Sequence, residues 1–349
     1  TPCGTLFPYT TLFRSVLAAC VLFVFSVVPE DAWGAEKINY RLKWLFNVST
    51  VGDFYADVHG LFKKNGLDVT IKPGGPERDA IRELELGYAQ FGVASADQVI
   101  RALSKGASVV VLAQLFQVNP LQWIYRESKP PITDLSDLTG RTIGITYGGN
   151  DETIMRTLLA KGNVGVEDVE LFSVRYDYLP FYRDEVDLWP CYRNAQGPIL
   201  AEKLGEHGER ITYLDPARFG VKFVANSVVT SPEMVENDSE TVHLFMSALL
   251  QGWRESLDPG YADRALETLA RFDEDTPPDI LVRQLNITRA MVKPGPDIRI
   301  GDIDVDAWKQ TEAIMLDQKL IPEPVEVEQV LMIPGKSDQE EQVQEKKER

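Results

Sequence analysis

The chain has 349 residues, 44% of them hydrophobic, with a formal net charge of −17, three cysteines and three histidines. The charge excludes a nucleic-acid partner, because phosphates demand a basic face. So few thiols exclude a disulfide framework or a cysteine-built metal site, and neither a metal nor a cofactor is expected.

Reading in chain order, LFPYTTLFRS (Leu6 to Ser15) translates one frame of a common sequencing-library adapter, so Thr1 to about Ser15 is set aside from the fold. VLAACVLFVFSVV (Val16 to Val28) has the length of a signal-peptide apolar core and falls short of the roughly 20 residues that span a bilayer. Ala32, Gly34 and Ala35 form a small-residue cleavage pattern, which places the mature start near Glu36 and residues 1–35 outside the folded protein. An alternative takes Leu17 to Cys20 as a lipoprotein box with Cys20 lipidated, although the apolar run continues past Cys20. About 310 residues remain, more than one core usually covers, and two lobes are expected.

From Lys37 strand and helix patterns alternate. KINYRLKWLF is a strand, VGDFYADVHGLFKKNG a helix and LDVTIKPGG a strand. ERDAIRELELG is a helix, AQFGVAS a strand, ADQVIRALSKG a helix and SVVVLAQLFQ a strand. Short connections imply a mostly parallel sheet with crossover helices. The charged, proline-bearing YRESKPPITDLSDLTGR breaks this rhythm, and the first interlobe crossing is expected there, near Ser128 to Pro131. A second α/β unit follows from RTIGITYGGN to ITYLDPA, and the chain returns through VKFVANSVVTS, with a crossing near Phe223 to Ser227. The division is thus lobe 1 over 36–128 and 227–330, and lobe 2 over 132–223. The remainder is mainly helical, with apolar stripes such as Val242, Phe245, Met246, Leu249 and Leu250 that predict packing faces. Residues 336–349 form a polar tail expected to be disordered.

Open α/β sheets place ligands beyond the carboxyl ends of their strands, so strand-to-helix turns supply the candidates. In the first lobe these are Trp44 and Asn47, then Ser95, with Gln117 after the fourth strand; in the second they are Tyr147, Gly148, Gly149 and Asn150, then Trp189, Tyr192 and Asn194. Trp44, Tyr147, Trp189 and Tyr192 offer flat stacking surfaces, while Asn47, Gln117 and Asn194 read a polar edge. Two glycines before a helix leave amides free for an acceptor oxygen, or else form an ordinary turn capped by Asn150 or Asp151. The turn lacks the lysine of a phosphate-binding loop. Asp177, Asp184, Glu185 and Asp187 are read as a solvated face, and Cys191 as a small buried residue.

WLFNVSTVGDFYADVHGLFKKNGLDVTI, GYAQFGVASADQVI and LSDLTGRTIGITYGGNDETIMRTLLAKGNV, followed by LDPARFGVKFVANSVVTS and LLQGWRESL, resemble in order the periplasmic substrate-binding proteins related to thiamine-pyrimidine synthase. The resemblance spans Ile38 to about Leu320. It implies an α/β, bilobal periplasmic-binding-protein (type II, venus-flytrap) fold with the ligand cleft between the lobes. It further implies a monomeric, exported, non-enzymatic protein that hands a small molecule to an ABC permease. Relatives bind thiamine pyrimidine precursors, riboflavin, sulfonates, taurine or nitrate. Trp44, Asn47, Gly148, Gly149, Asn150 and Tyr192 stand where the pattern has matching residues. The family's Tyr-Asn-Glu becomes Tyr192-Arg193-Asn194, losing an acid that would pair with an aminopyrimidine, and the synthase branch's cysteine-rich motif is absent. A pyrimidine-synthase enzyme and a sulfonate, nitrate or taurine binder are the alternatives.

Overall fold

The computed structural model describes residues 36–75, 78–174 and 177–333. The leader with Cys20, the two residues Arg175 and Tyr176, and the tail 336–349 lie outside them. The first half runs β1 (Glu36–Arg41), α1 (Val51–Val58), α2 (Leu61–Lys64), β2 (Leu67–Lys72), α3 (Ala80–Glu85), β3 (Phe91–Ala94), α4 (Ala96–Leu103) and β4 (Val110–Gln114). The second comprises β5 (Leu121–Arg126), β6 (Thr142–Ile145), α5 (Asn150–Lys161), β7 (Glu170–Ser173), α6 (Leu179–Tyr182), β8 (Trp189–Tyr192), α7 (Gln196–Gly205) and β9 (Ile211–Leu214). Then come β10 (Ser227–Thr230), α8 (Pro232–Asn237), α9 (Ser239–Leu257), α10 (Ala262–Ala270), α11 (Pro278–Val292) and α12 (Val305–Asp317). The expected helix over Val51–Gly66 is two helices, because Gly60 takes a left-handed φ of 69°.

The first sheet has the order β2-β1-β3-β10-β4, parallel except for β10. In the second, β8-β5-β9 is joined to the β6-β7 pair by a parallel bridge between Ile143 and Leu188, giving β7-β6-β8-β5-β9. The inserted strand, β5, is again antiparallel to its neighbours. Burial follows position: central β3 and β10 are buried throughout, whereas edge strands β2 and β7 are partly exposed, as expected for sheets covered on both faces.

Each sheet carries a core on each face. One face of the first packs Tyr40, Phe91 and Val228 against Phe62, Phe245 and Trp253; the other packs Val111 and Val229 against Ile100, Trp308 and Met315. Helices α1 and α9 touch almost backbone to backbone: a Cβ on Gly52 would overlap the Trp253 indole, and one on Gly252 would lie 2.5 Å from the Gly52 carbonyl oxygen. On the second sheet Trp123 and Ile143 pack with Met155 and Leu158 of α5, while Ile124 and Trp189 pack with Phe181 and Leu200.

The first crossing lies earlier than the sequence suggests. β5 pairs with β8 and β9, so the chain leaves the first sheet after Gln114 and crosses within 115–120. Its side chains bury alternately on the two faces of the second sheet, Trp123 on one and Ile124 on the other. The proline-rich stretch after it is a loop of that half, where Arg141 donates from Nη2 to the Pro130 carbonyl at 2.7 Å. On the return, Phe223 packs with the second-sheet core, and Val224 and Ala225 with the two cores of the first. Leu115 N–H donates to Asn226 O at 2.9 Å, tying the crossings together.

Candidate functional site

Because β1 and β3 are neighbours in one sheet and β6 and β8 in the other, the turns after them gather at one rim of each sheet. The rims meet at β8. Tyr192 packs against apolar residues of both halves, and Lys43 Nζ, in the turn after β1, donates to the Tyr192 hydroxyl at 3.4 Å. Trp44 is the next residue, half-buried. Its carbonyl accepts from Gly74 N–H at 3.0 Å, and a Cβ on Gly74 would collide with the Leu42 and Lys43 backbone, so that glycine lets the two turns close. Asn194 reaches further: its Nδ2 donates to Ser49 Oγ and Thr288 Oγ1, both at 3.0 Å.

Other candidates are placed differently. Trp189 is 2% exposed, enclosed by Phe172, Tyr178 and Phe181, because β8 alternates and puts Trp189 and Cys191 on the covered face while Tyr192 turns to the other. It is a core residue and not a cleft aromatic. Asn47 is engaged locally: its Oδ1 accepts from Ser49 N–H at 2.8 Å and its Nδ2 donates to the Leu45 carbonyl at 3.3 Å, capping the turn Val48–Thr50. Ser95 is buried as the cap of α4, with Oγ donating to Asp97 at 2.6 Å. Gln117 donates to the Asp302 carbonyl at 2.7 Å and holds the first crossing. It helps to line a cavity of about 140 Å³ with Phe116, Asn119, Pro216 and Phe223, well below the size of ordinary ligand pockets.

The glycine turn departs from expectation most. Gly148 adopts φ +79°, which only a residue without Cβ takes freely. Its N–H donates to Glu152 Oε2 at 2.7 Å, and Thr146 N–H donates to Asp151 Oδ2 at 2.7 Å. Gly149 N–H donates to the Thr146 carbonyl at 2.8 Å. These amides, expected to be free for a ligand oxygen, are taken by the chain itself, and two acids occupy the helix N-terminus with Tyr147 exposed beside them. Asp151 is buried, which pushes its carboxyl upward against the pull of the Thr146 N–H. An anion arriving at this helix end would meet carboxylates already in place.

Two residues on α11 escaped the sequence reading. Gln284 and Thr288 are 3% and 0% exposed, and Gln284 Nε2 donates to the Ala195 carbonyl at 2.8 Å. The legible signal is a pair of polar residues four apart inside the buried stripe Leu281, Leu285, Met291 and Val292. The acidic group near Asp184 is an ion-pair cluster: Asp184 and Asp187 both meet Lys129, and Asp184 also meets Arg126. Burial pushes the Cys191 thiol far up, a state unsuited to nucleophilic work. Among the described residues no helix is long and apolar enough to cross a membrane, and no three His, Cys, Asp or Glu side chains gather as metal ligands.

Residues 47–262 match the profile described as NMT1/THI5 like. The chain is 25% identical to the formylaminopyrimidine-binding protein of Halalkalibacterium halodurans over 321 residues, 89% of this chain and 95% of the relative. It is 22% identical to the riboflavin-binding protein RibY of Chloroflexus aurantiacus over 321 residues, 86% of this chain and 87% of the relative. The crystal structure of the periplasmic aliphatic sulphonate binding protein SsuA from Escherichia coli superposes with a TM-score of 0.68 at 16% identity, covering 86% of this chain and 92% of that one. The architecture is therefore the bilobal periplasmic-binding-protein fold.

Proposed function

This chain belongs to the NMT1/THI5-like family, and from that premise we propose that it is the exported, monomeric substrate-binding component of an ABC importer. It captures a small, planar, nitrogen-containing molecule of the formylaminopyrimidine class and delivers it to a membrane permease. The observation that carries the reading is the meeting of Tyr192 from one half with Lys43, beside Trp44, from the other. A hinge about the crossings at 115–120 and 223–226 opens and closes this contact around a flat ring. Leu121, directly after the first crossing, donates its N–H to Asn119 Oδ1 at 2.9 Å, and Asn119 Nδ2 in turn donates to the Phe223 carbonyl at 2.7 Å, so the two hinge strands move as one.

The ligand chemistry follows from the rim. Asp151 and Glu152 at the start of α5 disfavour sulfonate and nitrate, and Lys43 opposes a cation, whereas a neutral heterocycle meets no such opposition. The formylaminopyrimidine-binding relative supports the same class. The buried Cys191 thiol favours carriage over chemistry.

A thermal-shift and calorimetric comparison of formylaminopyrimidine, riboflavin and an alkanesulfonate tests the reading. A ligand at a hundred times its Kd that binds only the folded form adds about 2.7 kcal/mol, a clear rise in Tm. Formylaminopyrimidine is expected to give that rise and to be recovered unchanged. A rise with the alkanesulfonate alone would overturn the assignment, and turnover of the pyrimidine would favour an enzyme.

A further inference from the structure

The seam between α11 and the turn linking β8 to α7 holds a buried polar nest with incomplete hydrogen bonding. Asn194, Gln284 and Thr288 are all at most 3% exposed, and Ser49 is 5% exposed. Chemistry dictates how each carboxamide lies. A backbone carbonyl only accepts, so the end of Gln284 facing Ala195 O at 2.8 Å is its NH2. Thr288 uses its single hydroxyl proton on the Gln284 carbonyl at 2.8 Å, and therefore accepts from Asn194, whose NH2 must face it. The two remaining ends, Asn194 Oδ1 and Gln284 Oε1, are both acceptors, both buried and both without a donor. A buried acceptor left unpaired bears its whole desolvation penalty with nothing in return. Two of them flank Ala195, which packs into the first-half core three residues beyond the end of β8 and donates its N–H to the Tyr192 carbonyl at 3.0 Å.

We propose that Gln284 is a specificity-determining contact that, with Asn194, receives N–H groups of an amino-bearing ligand as the halves close. This deepens the reading above and rests on it. Neutral carbonyl oxygens accept from an amine or a ring amino group and repel an oxyanion, in keeping with the acids at the start of α5. Thr288 is a positioning residue: it holds the Asn194 NH2 and so aims its oxygen.

The test is calorimetry on the full chain with two probes, formylaminopyrimidine and its analogue in which hydrogen replaces the ring amino group. Wild type is expected to prefer the amino-bearing probe by about tenfold or more, because a site built for a donor rejects a ligand that lacks it. Gln284→Met should abolish most of that preference by weakening the amino-bearing probe alone, and Thr288→Val should do so to a smaller extent. Retained affinity for the analogue shows in the same experiment that each variant is folded. Equal losses for both probes, or an unchanged preference as when ordered water fills the nest, would overturn the inference while leaving the proposed function standing. Failure of wild type to bind either probe would overturn the proposed function, and this inference with it.

Discussion

The two halves repeat one strand order, each accepting an antiparallel strand at the fourth place, yet their rims differ in chemistry. The turn after β1 is closed by neutral groups, with Asn47 capping Val48–Thr50, and presents Lys43 and Ser49 to the other half. The turn after β6 is closed by carboxylates, with Glu152 and Asp151 bound to the amides of Gly148 and Thr146. Topology decides which turns face each other; the side chains that satisfy each turn's amides decide what the cleft accepts. The contrast is sharpest on β8, where Trp189 and Tyr192 serve opposite faces of the same strand.

That contrast is open to direct attack. The largest effect should come from Trp189→Ala, which empties part of the second core and is expected to cost about 3–5 kcal/mol in chemical denaturation, with the Kd of the surviving folded protein unchanged. A drop in affinity without loss of stability would put Trp189 in the cleft after all.

The first half holds its own buried acid. Tyr40 donates its hydroxyl to Asp53 Oδ1 at 2.5 Å, and burial raises the Asp53 carboxyl from 3.8 to about 7 despite the opposing pull of Tyr40. Trp253 also favours the charged form, although its Nε1–H makes no full hydrogen bond. The folded state thus holds this proton more tightly than the unfolded one. Its stabilising contribution is fully present below the ordinary value of 3.8 and is lost as pH rises through about 7. Denaturation midpoints measured across that window should fall with rising pH in wild type and flatten in Asp53→Asn. An unchanged slope in the variant would assign the dependence elsewhere.

Tyr192→Ala and Trp44→Ala should reverse the Trp189 pattern, weakening ligand binding at least tenfold, about 1.4 kcal/mol each, with a smaller fall in Tm than Trp189→Ala because both side chains are only half-buried. Unchanged calorimetric affinity in both would remove these residues from the site. The smallest effect is expected from Asp151→Ala, about 1 kcal/mol of stability, because the Thr146 N–H loses its side-chain acceptor. Measured beside Trp189→Ala, it should leave the second core intact by near-ultraviolet dichroism.

Much of this was readable without coordinates. Alternating and helical periodicities located β1 to β4 with their helices, then β6, α5, β7 and the helices α9 to α12, but not β5, α6, α7 or α8, and the order of motifs pointed to the fold that superposition bears out. Tyr192 and Asn194 were likewise marked by their place after a strand. What failed were judgements that depend on a partner far along the chain. LQWIYR sits beside the charged, proline-bearing stretch, and only its pairing with residues 189–192 and 211–214 makes it a strand of the second half. Composition drew the crossing towards Pro130 and Pro131, where the chain merely loops.

The sequence by itself determined the kind and order of the elements, because burial within a strand or helix repeats every two residues or every turn and leaves a local imprint. Tertiary structure alone decided which face of β8 turned to the seam between the halves, and how Gln284 and Thr288 came to stand beside Asn194. Those outcomes depend on contacts between segments up to ninety-four positions apart, and no local pattern records which distant group arrives to complete a hydrogen bond.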